Sequence, residues 1–157
     1  PRQRLLPARA FGKHRCAVKH LVDANVLSEV TRPLPDPRVI RWLRDHEAEV
    51  VVNPIVLGEI EYGILLLAPG RQRRLLQQWF TQRVKSLVVL DFDAATASAW
   101  AQFLARLKQK ATPMPIKDSL IAATALRHGL AVVTRNTTDF AKAGVPLVNP
   151  FDAEDYS

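Results

Sequence analysis

Glu49-Val50-Val51-Val52-Asn53-Pro54-Ile55-Val56-Leu57-Gly58-Glu59 decides how the rest of the chain reads. A run of valines has no polar side, so it reads as a strand covered on both faces rather than one with a wet face. Pro54 then opens a helix, since its fixed φ suits the first turn and its missing N–H is not needed there. Residues 54–68 are apolar almost all round, which predicts a buried helix.

The same alternation extends in both directions. Lys19-His20-Leu21-Val22 is a strand that stops at Asp23, and Pro37 to Leu43 has the three- and four-residue apolar spacing of a helix. Beyond the central stretch, 71–85 reads as a basic amphipathic helix, Leu87 to Leu90 as a strand, and the Ala-rich 94–110 as a helix. Pro113-Met114-Pro115 breaks the chain before a helix over 116–128 closed by Gly129. Leu130 to Thr134 is a fourth strand and Pro146 to Val148 a short fifth. Apolar strands separated by helices predict a three-layer α/β fold around a short central parallel sheet.

The 157 residues, 48% hydrophobic and 24% charged, are enough for one globular domain and exclude a disordered or collagen-like chain. Cys16 is the single cysteine and no Cys/His group has zinc-ligand spacing, so a disulfide scaffold and a structural zinc site are excluded and a cytoplasmic location is expected. The apolar run Ile64 to Ala68 is far too short to span a membrane. The net charge of +7 is unevenly placed: six of the 22 Lys and Arg residues fall within residues 1–20, which hold no acid, leaving 16 bases against 15 acids in the remainder. Residues 1–17 read as a disordered leader, added ahead of the native start or taken from an upstream one, 18–152 as one domain and 153–157 as a tail. Basic clusters such as Arg71, Arg73, Arg74 and Arg106, Lys108, Lys110 read as solvated helix faces, and charge alone supports nucleic-acid binding only weakly. The four histidines form no Ser/His/Asp or Cys/His arrangement, and no glycine-rich phosphate loop is present.

In a parallel sheet, ligands bind beyond the carboxyl ends of the strands. Asp23 ends the first strand and Asp139 follows the fourth, so both belong to that edge. Glu59 lies less than two turns into the helix leaving the second strand, on a face with Ile55, Val56, Tyr62 and Leu66; Glu61 is a rival on another apolar face, further from the strand end. Asp118 occupies the first turn of the helix over 116–128. Each acid has a structural alternative: caps for Asp23 and Asp118, an Asx turn for Asp139, an Arg partner for Glu59. Four carboxylates at one edge nevertheless repel one another unless a cation lies between them, and hard oxygen donors suit Mg²⁺ or Mn²⁺.

Val22-Asp23-Ala24-Asn25-Val26-Leu27-Ser28-Glu29, Gly58-Glu59-Ile60-Glu61-Tyr62-Gly63, Pro115-Ile116-Lys117-Asp118-Ser119-Leu120-Ile121-Ala122-Ala123 and Thr134-Arg135-Asn136-Thr137-Thr138-Asp139-Phe140 resemble, in order, the four motifs of the PIN-domain nucleases, and more narrowly of the VapC-type toxins of bacterial toxin–antitoxin pairs. The likeness covers roughly residues 19–151. It implies a PIN-like α/β/α fold and a metal-dependent endoribonuclease that cleaves single-stranded RNA. In that reading Asp23, Glu59, Asp118 and Asp139 are catalytic and hold one or two Mg²⁺ or Mn²⁺ ions. Asn25, Thr134 and Asn136 fit the role of orienting ligands or water, and Arg135 that of meeting a substrate phosphate. The resemblance also implies a cognate antitoxin, a homodimer, and DNA contacted only through the antitoxin. Antitoxin side chains are expected to dock among Val26, Leu27, Val30, Val39, Trp42 and Leu43 and on helix 54–68, some of these residues instead forming the core or a homodimer interface. Two other readings compete: a PIN-fold binding module acting mainly within a DNA-binding repressor complex, and a PIN nuclease of RNA processing or DNA repair.

Overall fold

The computed structural model describes residues 19–152, so the expected leader over 1–17 and the tail over 153–157 lie outside the described residues. Five strands, β1 (His20–Val22), β2 (Val50–Val52), β3 (Val88–Val89), β4 (Ala131–Val133) and β5 (Leu147–Val148), form one sheet in the order β3-β2-β1-β4-β5. Every pairing is parallel, with Leu21 opposite both Val51 and Val132, Val52 opposite Val89 and Val133 opposite Val148. Leu21, Val22, Val51, Val52, Val132 and Val133 are fully buried, as expected where helices cover both faces. Burying one such aliphatic side chain contributes about 1.5–3 kcal/mol.

The helices are α1 (Ala24–Ser28), α2 (Pro37–Asp45), α3 (Pro54–Leu65), α4 (Arg71–Gln82), α5 (Ala94–Gln109), α6 (Ile116–His128) and α7 (Thr137–Phe140). Most open on a residue suited to the task. The Asp36, Asn53 and Asp93 side chains accept N–H groups of the first turns of α2, α3 and α5. Gly129 ends α6 at φ 65°, a left-handed conformation that costs glycine nothing. α5 packs on α6, α3 on α4 and α6, and α1 on α3.

Chain order and sheet order together place the opening of the fold. From β1 the chain moves outward through β2 and β3, then returns to the other side of β1 for β4 and β5. The connections therefore diverge between β1 and β4, where the crevice of an open parallel sheet forms. Backbone bonds from Asp23 N–H to the Val133 carbonyl (2.9 Å) and from Thr134 N–H to the Val148 carbonyl (3.0 Å) extend the pairing past the strand ends into this crevice.

One packing expectation is corrected and one open alternative is resolved. Helix 54–68 is not buried all round: α3 ends at Leu65 and buries only Val56, Ile60 and Ile64, while Tyr62 and Leu66, expected to share a buried face with Glu59, are 63% and 68% exposed. A hydrophobic sequence shows that burial is favourable, not that the fold has enough partners to cover every face. Among the expected antitoxin contacts, Val26, Leu27, Val39 and Trp42 belong to the core, whereas Val30 is exposed.

Candidate active site

Asp23 stands at the end of β1 because its side chain caps α1, accepting the Ala24 N–H at 2.8 Å through Oδ1. Its other oxygen faces the crevice, where it accepts the Thr134 hydroxyl at 2.7 Å and the Asn25 amide at 3.2 Å. Asp23 therefore fills the structural role that sequence reading set against the catalytic one, and still presents a carboxylate oxygen across the crevice. Thr134, fully buried, also accepts the Asn136 N–H at 3.0 Å, and Asn25 Oδ1 accepts the Arg135 N–H at 3.2 Å. The segment after β4 is thus fastened to the segment after β1 by three side chains.

Asn136 forms the next link. Its amide donates to Asp118 Oδ2 at 3.1 Å and to Asp139 Oδ2 at 3.0 Å, bringing together α6 and α7. Asp118 does not cap its helix, since Pro115 stands at the N-cap position and no side chain bonds there. Asp139 lies in the first turn of α7 with Lys142 Nζ 3.8 Å away. Glu59 is reached through Asn53, whose Oδ1 accepts the Val56 N–H (3.0 Å) while its amide donates to Thr124 of α6 (3.1 Å). This clamp holds the start of α3 against α6. Glu59 Oε1 is buried and has no hydrogen-bond partner, whereas Glu61 is exposed.

The electrostatics follow from that crowding. Burial, and then the nearby charges of Asp23 and Asp139, push the Asp118 carboxyl up to about 6. Burial, followed by repulsion from Asp23 and Asp118, raises Glu59. Burial also raises Asp23, against the opposing hydrogen bonds from Thr134, the Ala24 N–H and Asn25. All three carboxyls thus resist ionisation, Asp23 through burial and Glu59 and Asp118 through burial and like charge together. Lys117, which the sequence reading passed over, opposes the rise at all three. Its only sequence signal is a cation immediately before Asp118.

Glu29 is another buried acid not singled out in the sequence, and it behaves differently. Its carboxylate accepts the Asp36 N–H at 2.9 Å and pairs with Arg32 at 3.3 Å, partners enough for a purely structural role.

The donors that converge on the crevice are all oxygen, and one of them, Glu59 Oε1, is buried without a partner. That set fits a hard divalent cation such as Mg²⁺, which keeps several waters and needs only one or two carboxylates directly. Among the described residues no three His, Cys, Asp or Glu side chains are grouped closely enough to hold one ion between them, and Asn136 donates to both Asp118 and Asp139.

The PIN domain pattern matches residues 20–146. Toxin FitB of Neisseria gonorrhoeae is 36% identical over 135 residues, covering 83% of this chain and 97% of FitB. VapC ribonuclease Y4jK of Sinorhizobium fredii is 30% identical over 136 residues, covering 84% of this chain and 97% of that protein. A chain in the structure of FitAB bound to an IR36 DNA fragment superimposes with a TM-score of 0.79 at 33% identity, covering 88% of this chain and 99% of its own length. Among the described residues no helix is long and apolar enough to cross a membrane.

Proposed function

This chain belongs to the PIN-domain family, and on that premise we propose that it is a cytoplasmic ribonuclease toxin that hydrolyses single-stranded RNA with Mg²⁺ or Mn²⁺ and is neutralised by a cognate antitoxin. The observation that carries the reading is the group of Asp23, Glu59 and Asp118 at the switch point of the sheet, all three raised by burial and Glu59 and Asp118 raised further by their acidic neighbours. A structural acid such as Glu29 has its partners supplied; these lack a counter-charge sufficient for three. The toxin and ribonuclease names of the relatives support the toxin reading, and the oxygen donor set supports the metal.

Asp23, Glu59, Asp118 and Asp139 would hold the ion, directly or through water. When bound, it supplies positive charge at the attacked phosphate and at the departing oxygen. Thr134 and Asn25 fix Asp23 by donating to Oδ2, so this oxygen keeps one direction during the reaction. Asn136 does the same for Asp118 and Asp139. One carboxylate of the group takes the proton of the attacking water as its oxygen bonds to phosphorus in line, and the ribose oxygen leaves with the electron pair of the broken P–O bond. We place this activity in one PIN unit over residues 18–152, acting as a homodimer and touching DNA only through the antitoxin.

Total cellular RNA incubated with the full chain in Mg²⁺, in Mn²⁺ and in EDTA tests the reading. Discrete fragments in the first two and none in the third are expected. Cleavage that survives exhaustive EDTA treatment removes the metal, and no cleavage under any condition removes the ribonuclease.

A further inference from the structure

Arg135 follows Thr134 at the rim of the crevice, is exposed, and is anchored through its own N–H to Asn25 Oδ1 at 3.2 Å. Asn25 in turn donates to Asp23 Oδ2, so two hydrogen bonds separate the Arg135 backbone from the acid at the end of β1. Its guanidinium is not the cation that acts on those acids, which is Lys117; the carboxyl whose titration it lowers is Asp36, the N-cap of α2. Among the described residues Arg135 forms no ion pair, and its guanidinium carbon lies 4.5 Å from the centroid of the Phe151 ring.

Phe151 is well placed to hold it. The Thr134 N–H bond to the Val148 carbonyl brings the ends of β4 and β5 side by side, so the segment after β5 runs along the segment after β4. Phe151 is 7% exposed, and its N–H donates to Asn149 Oδ1 at 3.1 Å in a turn closed by the Asn149 amide on Asp152 at 2.8 Å. The ring is therefore a fixed floor rather than a mobile cover. Stacking engages the flat face of a guanidinium and leaves its in-plane N–H donors at the edge. Those donors are the ones that grip a phosphate in bidentate fashion.

We infer that Arg135 binds a phosphate of the RNA strand at the crevice rim and that Phe151 is a positioning residue which holds the guanidinium off the acids and oriented toward solvent. The inference rests on the ribonuclease reading and deepens it. The acids repel an RNA backbone, so the site needs a cation not neutralised by them. Arg135 meets that need because it rests on an apolar ring, and the one carboxyl it acts on, Asp36, lies outside the group and is already held by Arg38 at 2.8 Å.

The test measures binding of a fluorescent single-stranded RNA of about ten nucleotides, a length typical of such grooves, to the full chain carrying Asp118→Asn to suppress cleavage. Arg135→Gln should weaken binding about ten-fold at low salt and reduce the salt slope by about one phosphate contact. Phe151→Leu should weaken it about three-fold when Arg135 is present and not at all when Gln replaces it, while Phe151→Tyr should bind as the parent does. Arg135→Lys, which keeps the charge without the fork, should fall between the parent and Arg135→Gln. Thermal unfolding of each variant checks that it is folded. Unchanged affinity and salt slope in Arg135→Gln overturns the inference. A loss in Phe151→Leu that is equal with and without Arg135 overturns the role of the ring. If the unmodified chain binds this RNA but never cuts it in Mg²⁺ or Mn²⁺, the ribonuclease reading fails and the phosphate contact is still decided by the comparison. Absence of RNA binding overturns both.

Discussion

The two ends of β1 lie three residues apart in sequence and treat charge in opposite ways. At the carboxyl end, Asp23 joins Glu59 and Asp118 in a group of like charges whose carboxyls are all raised. At the amino end, His20 lies 3.4 Å from Glu49, which also pairs with Lys19 at 3.3 Å. His20 packs edge-on against Trp42 and His46, and these two stack at 4.3 Å between centroids. Burial, then the neighbouring His46, lowers the His20 imidazole below its usual range. The amino end sets Glu49 beside Lys19 and His20, whereas the carboxyl end collects charges of one sign; each leaves one buried atom without a hydrogen bond, His20 Nδ1 and Glu59 Oε1. Each end thus carries one unpartnered buried atom, and what sets the carboxyl end apart is the gathering of several like charges, the kind of perturbed group that marks a functional site.

The largest expected difference between the ends is in catalysis. Asp118→Asn should lower RNA cleavage at least about 100-fold, as the loss of a positioned carboxylate does in acid–base chemistry, while His20→Phe should leave the rate within about two-fold. Wild-type cleavage by Asp118→Asn, or loss of cleavage in a folded His20→Phe, would break the contrast.

Next comes the stability of the link across the crevice. Thr134→Val keeps the shape but removes the hydroxyl bonded to Asp23 and the acceptor of the Asn136 N–H. The expected cost is about 1.5–3 kcal/mol, the range for hydrogen bonds to charged groups, read by urea denaturation. A loss below about 0.5 kcal/mol would mean that the Thr134–Asp23 bond is not formed in solution.

The pH dependences sharpen the comparison because their signs are opposite. The folded chain holds the Asp118 proton more tightly than the unfolded chain does, so this group favours folding below its ordinary value of 3.8, and that contribution is lost as pH rises through about 6. In EDTA, the melting temperature of Asp118→Asn relative to the unmodified protein should therefore climb as pH is raised across that window. His20, with its imidazole lowered from 6.5, favours folding above that value, and the contribution is lost as pH falls through its folded value. The melting temperature of His20→Phe relative to the unmodified protein should therefore climb as pH is lowered. Curves that run parallel in both variants would show that neither end titrates as its surroundings dictate. The smallest effect is expected at Glu61, which is exposed: Glu61→Gln should leave cleavage unchanged and stability within about 0.5 kcal/mol.

Much of this was legible before folding was considered. The valine runs and the prolines that open α2 and α3 marked strands and helices within a few residues of their observed ends, and Gly129 closed α6 as read. α7 was not legible as an element, and α1 only as the short helix Asp23 could cap, because four and five residues do not complete enough turns to show a helical period. Glu59 and Glu61 looked alike on one helix; the difference between them is solvent exposure, which depends on how α3 packs against its neighbours, α6 among them.

The sequence by itself determined the kind and order of the elements and the four acids in line, since propensity, capping and period act between residues close in the chain. Only the tertiary structure decided that β1 lies beside β4, and through that neighbour relation that Asp23 meets Thr134, that Asn136 joins Asp118 to Asp139, and that Arg135 comes to rest on Phe151. Strand pairing and the exclusion of water depend on residues far apart in the chain, more than a hundred positions for β1 and β4, and no local pattern carries that information.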